Sequence, residues 1–349
     1  MRKTAAKLLV AAALATSLAT VVSGTAVADP AAGVTPAAQD LVGVGSDTIQ
    51  SVLNQFSTDY NASLAAKGDT TSPRLYSYDA TGSSPITTKT GATSIPRPNG
   101  SGAGIKALVA NTSATVDFAR SSRGPAATDA HGLDFVALAK DAVTWSAQKT
   151  GNAPAQLTPA QLNGIYTCSI TNWQQIDPSL ANATIKPYLP QTDSGTRAFF
   201  LSAIGVATPN TNCVVSGPEE NEGTDPALQD PNVVFPYSVA HYLGQTVGNH
   251  GTTADAPGTL TLRNAVVNGV TLTPVTNNLI DTTFSNSQFG RVVYNVFRDA
   301  EWTATDAHGT AIQNVFGTGG WICNDPTAAA DLASYGFLAT PACGTATLT

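Results

Sequence analysis

Charged side chains are scarce in this chain. Asp, Glu, Lys and Arg make up 12% of its 349 residues, about half the share of an ordinary globular domain. Basic residues are the scarcer kind, 17 against 24 acidic, and three of them (Arg2, Lys3, Lys7) fall at the extreme N-terminus. Beyond that segment the balance is 14 to 24, a net charge of −10. Such a chain has no run of Lys and Arg with which to track a nucleic-acid backbone, so nucleic acid is excluded as a partner. Any anion it binds must be held by local dipoles and a few placed arginines.

Other absences narrow the reading further. His131, His241, His250 and His308 show no metal spacing, and no two of the four cysteines sit at ligand distance in sequence, so neither a metal nor a cofactor is expected. There is no Gly-x-Ser-x-Gly elbow. Ser146-Ala147-Gln148-Lys149 fits the Ser-x-x-Lys pattern of penicillin-recognising enzymes, but Lys89-Thr90-Gly91 precedes that serine and Lys149-Thr150-Gly151 shares its lysine. Order and overlap are both wrong for that chemistry. A secreted phosphatase-like hydrolase is the enzymatic alternative, and a cell-surface interaction protein retaining the fold without ligand is the third reading; neither has a motif of its own.

Long apolar runs are absent after the first one. That run, Leu8–Val22, follows the three basic residues and precedes the small-residue pattern Ala26-Val27-Ala28, which makes residues 1–28 a cleaved signal peptide. No cysteine lies near the cleavage point, the first being Cys168, so no lipid anchor is expected on the mature end. The chain is therefore read as secreted. In an oxidising compartment four cysteines imply two disulfides with three possible connectivities. Cys168–Cys213 and Cys323–Cys343 are favoured because each closes a moderate loop within one region, for about 3 kcal/mol apiece.

What is present alternates strands with helices. Residues 29–39 read as a loose leader. Val42-Gly43-Val44-Gly45 is a short buried strand running into a turn, after which Ile49, Val52, Leu53, Phe56 and Tyr60 recur at helical spacing, with Ser46 or Asp47 placed to cap. Gly100 to Gly104 opens a second helix, Thr115–Phe118 is the next strand, and Asp134–Trp145 looks extended. Thr158-Pro159 starts a further helix, Thr184–Leu189 forms a strand, and Asp193-Ser194-Gly195-Thr196 opens a helix carrying Phe199 and Phe200. Asn232–Phe235 and Arg291–Phe297 are the later strands. The pattern predicts an α/β fold with mainly parallel sheets.

Three of these helix starts carry small or hydroxyl-bearing residues: Gly45-Ser46-Asp47-Thr48, Gly100-Ser101-Gly102 and Asp193-Ser194-Gly195-Thr196-Arg197. Unpaired N–H groups and a partial positive charge at a helix N-terminus suit an anion, and glycine lets it approach the backbone. Arg120 and Arg123 stand near a fourth hydroxyl pair, Ser121 and Ser122.

In order and content, Val42–Ser46, Gly100–Lys106, Val116–Ser121, Leu157–Trp173 and Asp193–Thr196 resemble the phosphate-binding proteins of bacterial ABC importers. The stretch Leu157-Thr158-Pro159-Ala160-Gln161-Leu162-Asn163-Gly164-Ile165-Tyr166, with Ile170-Thr171-Asn172-Trp173 after it, looks especially like that family's second lobe. The resemblance implies a two-lobed periplasmic-binding-protein-like fold of type II with two hinge crossovers. Lobe one would span 40–143 plus 281–349 and lobe two 144–280. A small oxyanion, inorganic phosphate by the family's habit, would sit in the cleft of a monomer that serves an ABC importer membrane complex. Ser46, Asp47, Thr48, Ser101, Ser121, Ser122, Ser194, Gly195 and Thr196 would line it. The family sets an aspartate where this chain has Ser122 and an arginine where it has Gln191, so Asp47 or Asp193 is expected to accept the ligand's proton and Arg120, Arg123 or Arg197 to supply charge.

Overall fold

The computed structural model describes residues 29–31 and 33–349; the signal peptide expected over 1–28 lies outside them. The first lobe begins with strand β1 (Leu41–Gly45), helix α1 (Gln50–Ala66), strand β2 (Leu75–Ser77), helix α2 (Ser101–Ala110) and strand β3 (Phe118–Ser121). β1 lies between β2 and β3 and runs parallel to both. Helices cover such a strand on each side, which is why all five of its residues are apolar or glycine and all are buried. α1 turns Val52, Leu53, Phe56, Tyr60 and Leu64 inward, the 3.6-residue period seen in the sequence.

The long strand β4 (Leu133–Gln148) carries the chain across the molecule. Leu133 to Ala142 pair antiparallel with the strand Gly290–Arg298, which leads back. From Val143 onward β4 pairs instead with Val233–Ser238. Beyond it lie the parallel strands Lys186–Leu189 and Val215–Ser216, with helices α3 (Pro159–Tyr166), α4 (Gly195–Ala203) and α5 (Val239–Thr246) packed around them. Along the main path of the sheet the outer strands of each lobe are thus parallel and those at the junction antiparallel. Leu260–Leu262 and Ala346–Leu348 add antiparallel to β4, and Asn264–Val267 pairs antiparallel with Val270–Leu272 in a smaller sheet. One apolar cluster runs from Leu53 and Phe56 through Val143 and Trp145 to Leu162, Tyr166 and Trp173.

Local sequence explains most boundaries. Thr158 accepts the N–H of Gln161, and the Gln161 side chain accepts the N–H of Thr158, with Pro159 in the first turn; this reciprocal cap fixes the start of α3. Three expectations need correcting. Neither Ser46 nor Asp47 caps α1, whose N-cap is Ile49 with no side-chain bond. The strand placed at Thr115–Phe118 begins only at Phe118, because Asp117 is buried against Lys89 and takes the N–H of Val42. The leader is not loose at two of its described residues: Asp29 pairs with Arg97 at 2.8 Å, and Pro36 accepts the N–H of Thr90. Cys168 is bonded to Cys213 and Cys323 to Cys343, with Cα separations of 5.9 and 5.7 Å. No helix among the described residues is long and apolar enough to cross a membrane.

Candidate functional site

Five segments meet between the lobes: the turn after β1, the start of α2, the end of β3, the start of α4, and Arg291 at the head of the returning strand. Gly45 makes the first turn possible. Its φ is +116°, and a Cβ there would stand 3.0 Å from the Cα of Gly104 in α2, so both conformation and close packing require glycine. The turn that follows leaves Ser46 buried with its hydroxyl unpartnered. Thr48, also buried, brings its Oγ1 to 3.1 Å from Thr196 Oγ1 of α4.

On the other side of the start of α4 stand two more hydroxyls. Ser101 Oγ and Ser122 Oγ are 3.3 Å apart, and Ser101 Oγ accepts the N–H of Ser122 at 3.0 Å. Gly195 faces both: a Cβ on it would lie 2.3 Å from Ser101 Oγ and 2.4 Å from Ser122 Oγ. Ser194 caps α4 by accepting the N–H of Arg197 and donates its own proton to Glu220 Oε2 at 2.6 Å. The N–H of Thr196 points at the same carboxylate oxygen, at 3.4 Å. Glu220 is fully buried and its other oxygen, Oε1, has no partner.

Arg291 supplies positive charge. Its guanidinium holds Asp141 at 2.7 Å, donates to the Ser122 carbonyl at 2.8 Å and reaches Thr196 Oγ1 at 3.1 Å. The ring of Phe199 lies under it at 5.6 Å. Asp141 in turn takes Ser238 Oγ and the N–H of Ala240 at the start of α5, so Arg291 is fixed from both lobes.

A polar seam flanks these hydroxyls. Asp47 is half-buried and accepts from Asn221 Nδ2 at 2.9 Å. Desolvation, reinforced by Asp255 and Glu220, pushes its carboxyl well above the ordinary range despite the pull of His241. His241 on α5 touches the Thr48 carbonyl through Nδ1 (3.1 Å) and Asp255 through Nε2 (2.6 Å). Burial opposes charge on its ring, but Asp255 outweighs burial and raises its pKa to about 10. Gln191 bridges Asn99 and the N–H of Glu220, and Asn99 donates to Glu219.

The structure therefore gathers Ser46, Thr48, Ser101, Ser122, Ser194, Gly195 and Thr196, with Asp47 at their edge. It places the remaining candidates elsewhere. Arg120 is buried behind the first turn, donating to the Ser46 carbonyl and to Ser77 Oγ; burial lowers its pKa to about 10. Ser121 Oγ donates to the Arg123 carbonyl. Arg123 grips Asp129 with two bonds of 2.7 Å, and Arg197 donates to the Pro190 carbonyl and Ser216. Asp193 pairs with Lys106 at the rim, beside a cavity of about 540 Å³ that Gly102, Arg123 and Ser194 also line. Arg291, Asp141, Glu220 and His241 escaped the sequence reading because each acts from a strand, loop or helix face that carries no motif. Among the described residues no group of His, Cys, Asp and Glu is placed to hold a metal ion.

Two lobes joined by one long strand that pairs in both, with hydroxyls and a helix N-terminus facing one another between them, have the bilobed form of a periplasmic-type binding protein. The chain belongs to the PBP superfamily, whose domain model matches residues 30–301. It is 27% identical over 138 residues to the phosphate-binding protein PstS of Staphylococcus saprophyticus; the match covers 36% of this chain and spans only 42% of that relative's length. Its fold is similar to an ABC-type phosphate transport receptor from Vibrio cholerae (TM-score 0.56, 18% identity, covering 86% of this chain and all of that one). It is also similar to a high-affinity periplasmic phosphate-binding protein bound with phosphate (TM-score 0.52, 15% identity, covering 87% and 91%).

Proposed function

We propose that this protein captures inorganic phosphate between its lobes and releases it to an importer in the membrane. The observation that carries this reading is the meeting of Thr48, Ser101 and Ser122 with the α4 N-terminus at Gly195-Thr196, beside the buried Arg291. Neutral hydroxyl donors, a helix N-terminus and one charge already balanced by Asp141 stabilise a small oxyanion without trapping it irreversibly. The curated relative and the fold neighbours, whose names specify phosphate, support that choice of anion.

The proton acceptor is assigned to Glu220 rather than to Asp47 or Asp193. Its unpartnered Oε1 is buried at the site, and a carboxylate oxygen can only accept. A ligand that still carries a proton satisfies it; sulfate has none to give. The ligand set is thus Ser46, Thr48, Ser101, Ser122, Gly195, Thr196, Glu220 and Arg291, with Ser194 committed to capping α4 and holding Glu220. The same reading takes the protein as a secreted monomer with lobes 40–143 plus 281–349 and 144–280.

Isothermal titration of the protein from residue 29 onward, freed of phosphate, tests the proposal. One saturable site for phosphate and none for sulfate is expected. Heat from sulfate alone would reassign the anion, and heat from neither would defeat the reading.

A further inference from the structure

The pair His241–Asp255 lies outside the ligand set, yet it grips the turn that presents Thr48. His241 sits on α5, is 7% exposed, and bridges two groups far apart in sequence, the Thr48 carbonyl and Asp255 Oδ1. Hydrogen accounting fixes its state. A carbonyl oxygen only accepts, so Nδ1 must carry a hydrogen. At 2.6 Å from a carboxylate oxygen, Nε2 must share a second one. The pair therefore holds one proton more than a neutral imidazole can supply alone.

The surroundings continue the grip. Asp255 also accepts from Gln245 Nε2 at 2.7 Å, and Gln245 donates to the carbonyl of Asn221 at 2.8 Å. Asn221 in turn holds Asp47, the residue before Thr48. A closed circuit, His241–Asp255–Gln245–Asn221–Asp47–Thr48, thus clasps the turn by a side chain and by a carbonyl. The ionisable groups facing His241 are Asp255 and Asp47, with Glu220 and Glu222 on the neighbouring loop. His250 and Tyr335 line a cavity of about 10 Å³ next to the ring, room for one water.

We propose that His241, charged by its contact with Asp255, is a positioning residue that latches the Thr48 turn against the second lobe and so holds the site in its closed, ligand-ready form. This rests on the oxyanion reading of the site. Its function does not require contact with the ligand: the Thr48 hydroxyl meets Thr196 only while the turn is held.

The test combines a ligand-free measurement with a binding one. Nitrogen-15 spectra of the histidine-labelled protein at pH 7.5 should show both ring nitrogens of His241 protonated. Phosphate affinity, measured by titration calorimetry, should fall about tenfold or more in His241→Leu, the equivalent of one lost hydrogen bond to a charged group. His241→Asn, whose amide can replace the Nδ1 donor, should recover part of that loss. Asp255→Asn should weaken binding and move the decline of affinity at alkaline pH to lower pH. A neutral His241 ring, or wild-type affinity in both His241→Leu and Asp255→Asn, overturns the latch. If the ring is doubly protonated but the wild-type protein binds no phosphate, the oxyanion reading fails and the latch as a positioning device for it fails too, whereas wild-type binding with unaffected variants overturns the latch alone.

Discussion

Replacing Gly195 by alanine isolates lobe closure from lobe stability. Alanine suits the first turn of a helix better than glycine, by up to about 1 kcal/mol, so α4 itself should not suffer. The added methyl, however, would fall 2.3 and 2.4 Å from Ser101 Oγ and Ser122 Oγ, roughly an ångström inside normal contact. Two responses are available. Rotating the serines away breaks their mutual contact and the bond from the Ser122 N–H, at about 1 kcal/mol for each bond lost. Alternatively, the start of α4 withdraws by about the same ångström and the Thr48–Thr196 contact opens. Either way phosphate affinity should drop by about 10- to 100-fold, or roughly 1.4–2.8 kcal/mol, with the melting temperature within a few degrees of wild type. Calorimetric titration beside a thermal melt measures both. Unchanged affinity in a folded Gly195→Ala protein would refute the claim that this close approach forms the site.

Arg291→Met should abolish measurable phosphate binding and also destabilise the protein by about 3 kcal/mol, because Asp141 is left buried without its partner; denaturant unfolding gives the second number. Lys89→Met should cost a similar amount through Asp117, buried at 0% exposure against Lys89 at 2.6 Å, while leaving phosphate affinity intact. Burial lifts Asp79, Asp117 and Asp134 to about 6, and burial with the neighbouring Asp59 lifts Asp331 to about 7. A carboxyl raised in the folded state contributes stability below its unfolded value near 4 and loses it as pH rises through the folded value. The melting temperature should therefore decline between about pH 4 and 7, and Asp331→Asn should flatten the upper part of that decline; an unchanged profile would count against the assignment.

How much of this was legible in advance follows from what each feature depends on. The helix starts at Ser101 and Gly195 and the capped start of α3 were readable because caps and glycines are local signals. β4 and the returning strand were readable as extended runs. The role of the arginines was not. Arg120 and Arg291 both lie on strands and both are buried, and only the sheet order decides that one backs the turn while the other faces Thr196. Glu220 and His241 were invisible for a related reason: a loop carboxylate and a helix histidine become site residues only when folding brings 220 to 194 and 241 to 48. The start of β3 was misplaced because the burial of Asp117 with Lys89 is a long-range event.

β4 exchanges partners between Ala142 and Val143 without a break in the strand. The two lobes are therefore not beads on a flexible string but halves of one bent plank. Any movement of one lobe against the other must bend or twist hydrogen-bonded backbone in β4 itself. Thr48 and Thr196 meet across the lobes at 3.1 Å, and side chains that short depend on the shared strand to set how the two faces align.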